Sequence, residues 1–107
     1  MVQNVQFSYL YRDSGNYKNF GVLIFENTSD ITIDDLKNLI KSKLICDTWF
    51  YTYQWQLPDL RFPECDYEVN PSWHEFENVE YTDKAINTSK KLAELLYRLH
   101  QMDSKRI

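Results

Sequence analysis

A chain of 107 residues, 43% apolar and 16% aromatic, has the length of one domain (1–107) and the composition of a packed core. No apolar run approaches the roughly 20 residues that cross a bilayer. The opening MVQNVQFSYL lacks the basic and then apolar pattern of a secretory signal, so the expected setting is cytoplasmic, without membrane association. The formal net charge of −4 disfavours sequence-independent nucleic-acid binding, which needs Lys and Arg to neutralise phosphates.

Residues 5–12 alternate Val5, Phe7, Tyr9 and Tyr11 with Gln6, Ser8, Leu10 and Arg12, the period of a half-buried strand. Asp13-Ser14-Gly15-Asn16 is a turn cluster, and Gly15 and Asn16 both tolerate positive φ. Residues 19–26 are apolar on both faces and read as a central strand, so the first two strands form an antiparallel hairpin. Thr32 is an N-cap with Asp35 completing an acidic capping box. Ile33, Leu36, Leu39, Ile40 and Leu44 then predict a helix over 32–44. Residues 48–55 (TWFYTYQW) predict a third, aromatic strand that ends at Pro58. Residues 58–82 read as an ordered loop with one short strand near Arg61-Phe62, packed by Phe62, Tyr67, Trp73, Phe76 and Tyr81. Ile86, Leu92, Leu95, Leu96, Leu99 and Met102 predict a second helix over 84–103, capped by Thr82 or Thr88. The expected fold is α+β: a small antiparallel sheet, made of a β-hairpin plus the third aromatic strand, with two helices packed on one face, in the order ββαβ-loop-α. Ten of the seventeen aromatic residues lie in 49–81, so a sheet face left open would be an interface unless the loop covers it.

Charge is unevenly spread. Residues 59–83 hold eight acids against Arg61, and residues 84–107 hold six bases against two acids. The acidic segment reads either as a solvated surface or as a face for a basic partner. Binding of nucleic acid by Lys84, Lys90, Lys91, Arg98, Lys105 and Arg106 is opposed by the acidic total and by the helix's need to dock its apolar stripe. Cys46 and Cys65 have no CxxC spacing and the two histidines, His74 and His100, lie on different segments, so structural zinc is not expected. Reduced thiols are.

Two clusters carry candidate chemistry. In the hairpin tip, Arg12 suits a phosphate or carboxylate, Lys18 adds a point charge and Tyr17 a stacking face. Turn chemistry alone accounts for Asp13, Gly15 and Asn16, but not for Arg12 beside Tyr17 and Lys18. In Trp73-His74-Glu75-Phe76-Glu77, a His between acids could serve as a base or ligand. An extended chain sends His74 and Phe76 to one side and Glu75 and Glu77 to the other, which weakens a metal site, and HExxH is absent because residue 78 is Asn. No P-loop or GxSxG elbow exists, and a Cys65–His74 nucleophile pair has only sequence proximity behind it.

The run Tyr9 to Lys18 with Phe20-Gly21 has the pattern YxYRDxxNYKxxG. Together with Gln56-Leu57-Pro58 and the WHEFE motif at Trp73–Glu77, it resembles an uncharacterised family of small bacterial proteins. The resemblance spans about residues 7–81, and the basic C-terminal helix departs from it. It implies a compact α+β domain from bacteria or their mobile elements, with no established activity. It also implies that the hairpin tip and the WHEFE segment belong to one structural plan.

The favoured reading is a small non-enzymatic protein-binding or regulatory protein (inhibitor, antitoxin-like or adaptor) acting through an aromatic and acidic surface. Its partner would be a larger protein or a second copy. The alternative is a metal-dependent phosphoesterase, nuclease or nucleotide-binding protein using the YRDSGNYK and WHEFE segments. The candidate binding residues are Arg12, Asp13, Asn16, Tyr17, Lys18, Trp73, His74, Glu75 and Glu77. No catalytic residue, metal ligand or cofactor is assigned.

Overall fold

The computed structural model describes residues 3–27, 31–62 and 70–102. The order of elements is β1 (Asn4–Arg12), β2 (Lys18–Phe25), α1 (Ile33–Lys43), β3 (Trp49–Phe50), α2 (Thr52–Trp55), β4 (His74–Thr82) and α3 (Leu92–His100). The four strands form one antiparallel sheet in the order β2-β1-β4-β3. The chain is therefore α+β, as expected, but with four strands and three helices among the described residues.

Alternation along β1 sorts its side chains. Val5, Phe7 and Tyr9 enter one core cluster with Leu23 and Phe25 of β2, Val79 of β4, Leu36 and Ile40 of α1, Trp55 of α2 and Leu92, Leu95 and Leu99 of α3. Phe7 lies at its centre, with the rings of Tyr9, Phe50, Trp55 and Phe76 all within 6.2 Å of it. Gln6, Ser8 and Arg12 point the other way, opposite Ile24 and Glu80, Val22 and Asn78, and Lys18 respectively.

The first helix starts where its cap dictates. The Thr32 hydroxyl accepts from the Asp35 N–H at 3.1 Å, and Lys41 and Lys43 occupy the C-terminal turn, where cations favour the helix dipole. Thr32→Ala should cost about 1 kcal/mol, checked by urea denaturation, with Thr32→Ser restoring most of the loss.

Three expectations are corrected. The third strand is only Trp49–Phe50, and the remainder of 48–55 turns into α2. An aromatic run this short satisfies either period; here Thr52 and Trp55, three apart, are both buried. Gln56, at φ 56°, closes the turn by donating its N–H to the Thr52 carbonyl.

The stretch 58–82 is not all loop, since residues 74–82 form β4, the partner of both β1 and β3. A bulge hid it. Ser8 pairs with Asn78 but Tyr9 with Phe76, leaving Glu77 as the extra residue. The core-facing set therefore runs His74, Phe76 and then Val79, and the period of two is broken in mid-strand. Arg61-Phe62 forms no strand, Cys46 is exposed in the turn before β3 and not partly buried, and Tyr67 and Cys65 lie outside the described residues.

The last helix begins at Leu92, not near 84. Thr82 and Thr88 accept from the N–H groups of Lys84 and Lys90, closing local turns in place of a helix cap. Asn87 instead ties this segment to β2: its side chain accepts from Ile24 N–H at 2.8 Å and donates to the Val22 carbonyl at 2.9 Å. Lys105 and Arg106 lie outside the described residues.

Candidate functional site

The hairpin tip is built by its own backbone. Asp13 N–H donates to the Tyr17 carbonyl, Asn16 N–H to the Asp13 carbonyl, and Tyr17 N–H to Asp13 Oδ1, all within 3.0 Å. Asn16 takes the left-handed conformation, φ 66°. Turn chemistry thus accounts for Asp13 and Asn16.

Arg12 does something else. Its Nε donates to Glu75 Oε2 at 2.7 Å and its Nη2 to Glu75 Oε1 at 3.3 Å, a forked ion pair across the sheet. Its Nη1 donates to Asn16 Oδ1, so the same guanidinium holds the turn. Ser14 adds two bonds, N–H and hydroxyl, to Asn70 Oδ1 at 2.8 and 2.7 Å. The Tyr11 hydroxyl donates to the Pro71 carbonyl at 2.7 Å. The hairpin tip and the segment leading into β4 are therefore stitched into one unit.

Glu75 also defines a row. The register pairs it with Leu10 on β1 and Trp49 on β3, and Leu10 with Phe20 on β2. Trp49, Glu75, Leu10 and Phe20 thus cross all four strands on the side away from Phe7. The Trp73 ring packs against Trp49 with centroids 5.9 Å apart and stays 40% exposed. Phe20 and Tyr17 are exposed by 57% and 73%. Lys18 and Glu77 are exposed as well.

His74 takes no part in this row. It is fully buried on the core side, with the Tyr11, Tyr9 and Phe50 rings within 6.2 Å. Its Nε2 accepts from Leu60 N–H at 2.9 Å, so the ring proton sits on Nδ1, which has no partner among the described residues. Burial drives its pKa down to about 4, with Arg61 adding to the fall and Asp59 opposing it. The 3.5 Å approach to Asp59 is accordingly no ion pair at neutral pH. Asp59 is instead paired to Arg61, whose hydrogen bonds hold its carboxyl below the usual range.

His74 helps to hold a crossing segment in place. Residues 57–62 lie across the Tyr9 end of the core face, held by Tyr9 OH to the Pro58 carbonyl (2.7 Å), Asn19 Nδ2 to the Leu60 carbonyl (3.0 Å) and the His74 bond. Gly21 makes the room, because a Cβ there would come within 2.7 Å of Leu60 Cδ1. A glycine inside an apolar strand was the available signal for this close approach.

Two basic residues of the C-terminal segment, Lys90 and Arg98, also have internal work. Arg98 Nε donates to the Gln54 carbonyl at 2.6 Å and Lys90 Nζ to the Gln56 carbonyl, at the end of α2. A cleft of about 240 Å³ is lined by Thr52, Tyr53, Leu57, Asp59, Arg61 and Ser72, and a groove of about 420 Å³ by Gln56, Ala93, Glu94, Tyr97 and Arg98. Neither is lined by Arg12, His74 or Glu75. Among the described residues no cluster of three His, Cys, Asp or Glu side chains could hold a metal ion. No helix among them is long and apolar enough to cross a membrane. No family model matches the chain, and no curated protein or solved structure matches it.

Proposed function

We propose that this domain is a protein-binding module whose binding surface is the sheet face turned away from the core. In this reading α1 and α3 lie together on the core side, and the opposite side, where Leu10 and Ile24 are covered, presents exposed Phe20, Val22 and Trp73 to a partner. The observation that carries it is the forked Arg12–Glu75 pair, set within the Trp49–Glu75–Leu10–Phe20 row and flanked by exposed Trp73 and Tyr17. Arg, Trp and Tyr are the side chains that most often anchor protein interfaces, and exposed apolar side chains gathered on one face mark interaction sites. The pair pre-orders both side chains, which lowers the entropy lost on binding.

The hydrolase alternative draws less support. It needs a phosphate-holding Arg12 and a basic His74 around one reacting atom. Arg12 is already bound by Glu75, and His74 is buried on the other side beneath residues 57–62.

The test is capture from host lysate on immobilised protein, with Arg12→Ala/Tyr17→Ala and Trp73→Ala/Glu75→Ala variants in parallel. A stoichiometric partner should be retained by the parent and lost at least about tenfold by the Trp73/Glu75 variant, the scale of an aromatic hot spot. Absence of any stoichiometric partner, or equal retention by both variants with native circular dichroism, would refute the reading.

A further inference from the structure

We propose that the cleft between α2 and residues 57–61 binds one sugar ring through its vicinal hydroxyl groups. Thr52, Tyr53, Leu57, Asp59, Arg61 and Ser72 line it, and its volume is about 240 Å³. Sites for drug-sized molecules span roughly 300–1,000 Å³, so this one suits a ligand of a single ring. None of its residues belongs to the Arg12–Glu75 row, so this site and the protein-binding reading stand or fall separately.

Thr52 marks the cleft as a site. It is only 7% exposed, yet its hydroxyl makes no hydrogen bond among the described residues. A buried hydroxyl left unpaired has given up water for nothing, and folded proteins rarely leave one so. The described side-chain atoms that are both sealed from solvent and unpaired are Trp55 Nε1 and His74 Nδ1. Thr52 Oγ1 is not among them, so it keeps a little accessible surface, and the cleft is the open space that Thr52 borders.

The rest of the lining selects a neutral polyol over an ion. Arg61 Nε and Nη2 donate to Asp59 Oδ2 at 2.8 and 2.6 Å, and Arg61 N–H donates to Asp59 Oδ1 at 2.9 Å. A cation and an anion thus stand side by side, and a charged ligand of either sign meets a like charge beside its partner. A hydroxyl both donates and accepts, so neighbouring hydroxyls on one ring match a neighbouring acceptor and donor. Thr52 and exposed Ser72 add two groups of the same dual kind. Tyr53, 71% exposed and 5.6 Å from the Tyr51 ring between centroids, offers a flat apolar surface. A sugar ring combines these features, with C–H groups on its face and hydroxyls around its rim.

A vicinal diol is carried by a free monosaccharide, by the end of a glycan chain and by the ribose of a nucleoside. The test therefore titrates the protein with glucose, galactose and mannose, with their methyl glycosides and with adenosine, and with cyclohexanol as a ring that has one hydroxyl. Amide chemical shifts of Thr52, Tyr53, Arg61 and Ser72 are the readout. At least one diol probe should give saturable shifts at these amides, with an affinity near millimolar, as a one-ring ligand allows. Its class names the source. Thr52→Val and Tyr53→Ala should each weaken that binding at least about tenfold, the scale of one lost hydrogen bond or ring contact. Thr52→Val should not lower the melting temperature, because it removes an unpaired hydroxyl; if it unfolds the protein, Tyr53→Ala at its exposed site decides alone. Three results overturn the proposal: no saturable shift from any diol probe up to about 50 mM, well above that affinity, equal shifts from cyclohexanol, or parental affinity in either folded variant.

Discussion

Phe7→Ala should lower the unfolding free energy by about 3–5 kcal/mol, the range for deleting a fully enclosed aromatic ring. Phe7 is on an inner strand, fully buried, between Leu23 and Val79 on its two neighbours. Four aromatic rings contact it, those of Tyr9, Phe50, Trp55 and Phe76. They come from β1, β3, α2 and β4. The cavity would therefore open at the junction of four elements, where collapse of any one wall strains the others. Native domains have only about 5–15 kcal/mol in reserve, so the variant should be marginal at 37 °C. Urea denaturation should show a lower midpoint with an unchanged slope. A loss below about 1 kcal/mol, less than an ordinary large-to-small core change, would mean that the ring cluster is not the core.

The second large effect is in pH. His74 has a pKa of about 4 in the fold against about 6.5 in the unfolded chain. Between those values the unfolded chain binds the extra proton, so stability rises with pH across that window. It is complete above about pH 6.5, declines on acidification, and levels near pH 4 once the folded ring is protonated too. The full span is about 3 kcal/mol. Protonation is opposed by geometry as well, since Nε2 must keep accepting from Leu60 N–H. Asp59 stays ionised through this window, its carboxyl being held low by Arg61, so its own contribution is lost only at more acidic pH. His74→Gln should abolish the slope between pH 4 and 6.5. Chemical denaturation at a series of pH values reads this directly. A flat parent profile, or an equal slope in the variant, contradicts the buried neutral imidazole.

The legible parts of the fold were those where one period runs unbroken. The alternation of Val5, Phe7, Tyr9 and Tyr11 and the spacing of Leu36 and Ile40 each follow a single geometry, and Thr32 marks the start of α1 by its own hydroxyl. Asp13 and Asn16 were legible as a turn because their side chains act locally. What was illegible depends on distant contacts. β4 is disguised by the bulge at Glu77, which only the register with Ser8 and Tyr9 reveals. The start of α3 is set by Asn87 reaching β2, 65 residues away from Val22 in sequence.

The site divided in the same way. The diverging directions of His74 and Glu75 followed from extended geometry, and the structure buries the first and pairs the second with Arg12. That Arg12 would find Glu75, 63 residues on, could be suggested only by the joint occurrence of the two motifs. The row through Trp49, Leu10 and Phe20 required the strand order. Gly21 was read only as part of an apolar strand, and its reason, Leu60 lying over it, was not legible.

Hydrogen–deuterium exchange on the captured complex tests the central claim most directly, by comparing free and bound protein peptide by peptide. The account predicts added protection in the hairpin tip and in the peptides holding Trp49 and Trp73–Glu75. It predicts none in α1 or in the Tyr97 face of α3. Protection confined to α1 or α3, with the tip and β4 unchanged, would contradict the assignment of the binding surface.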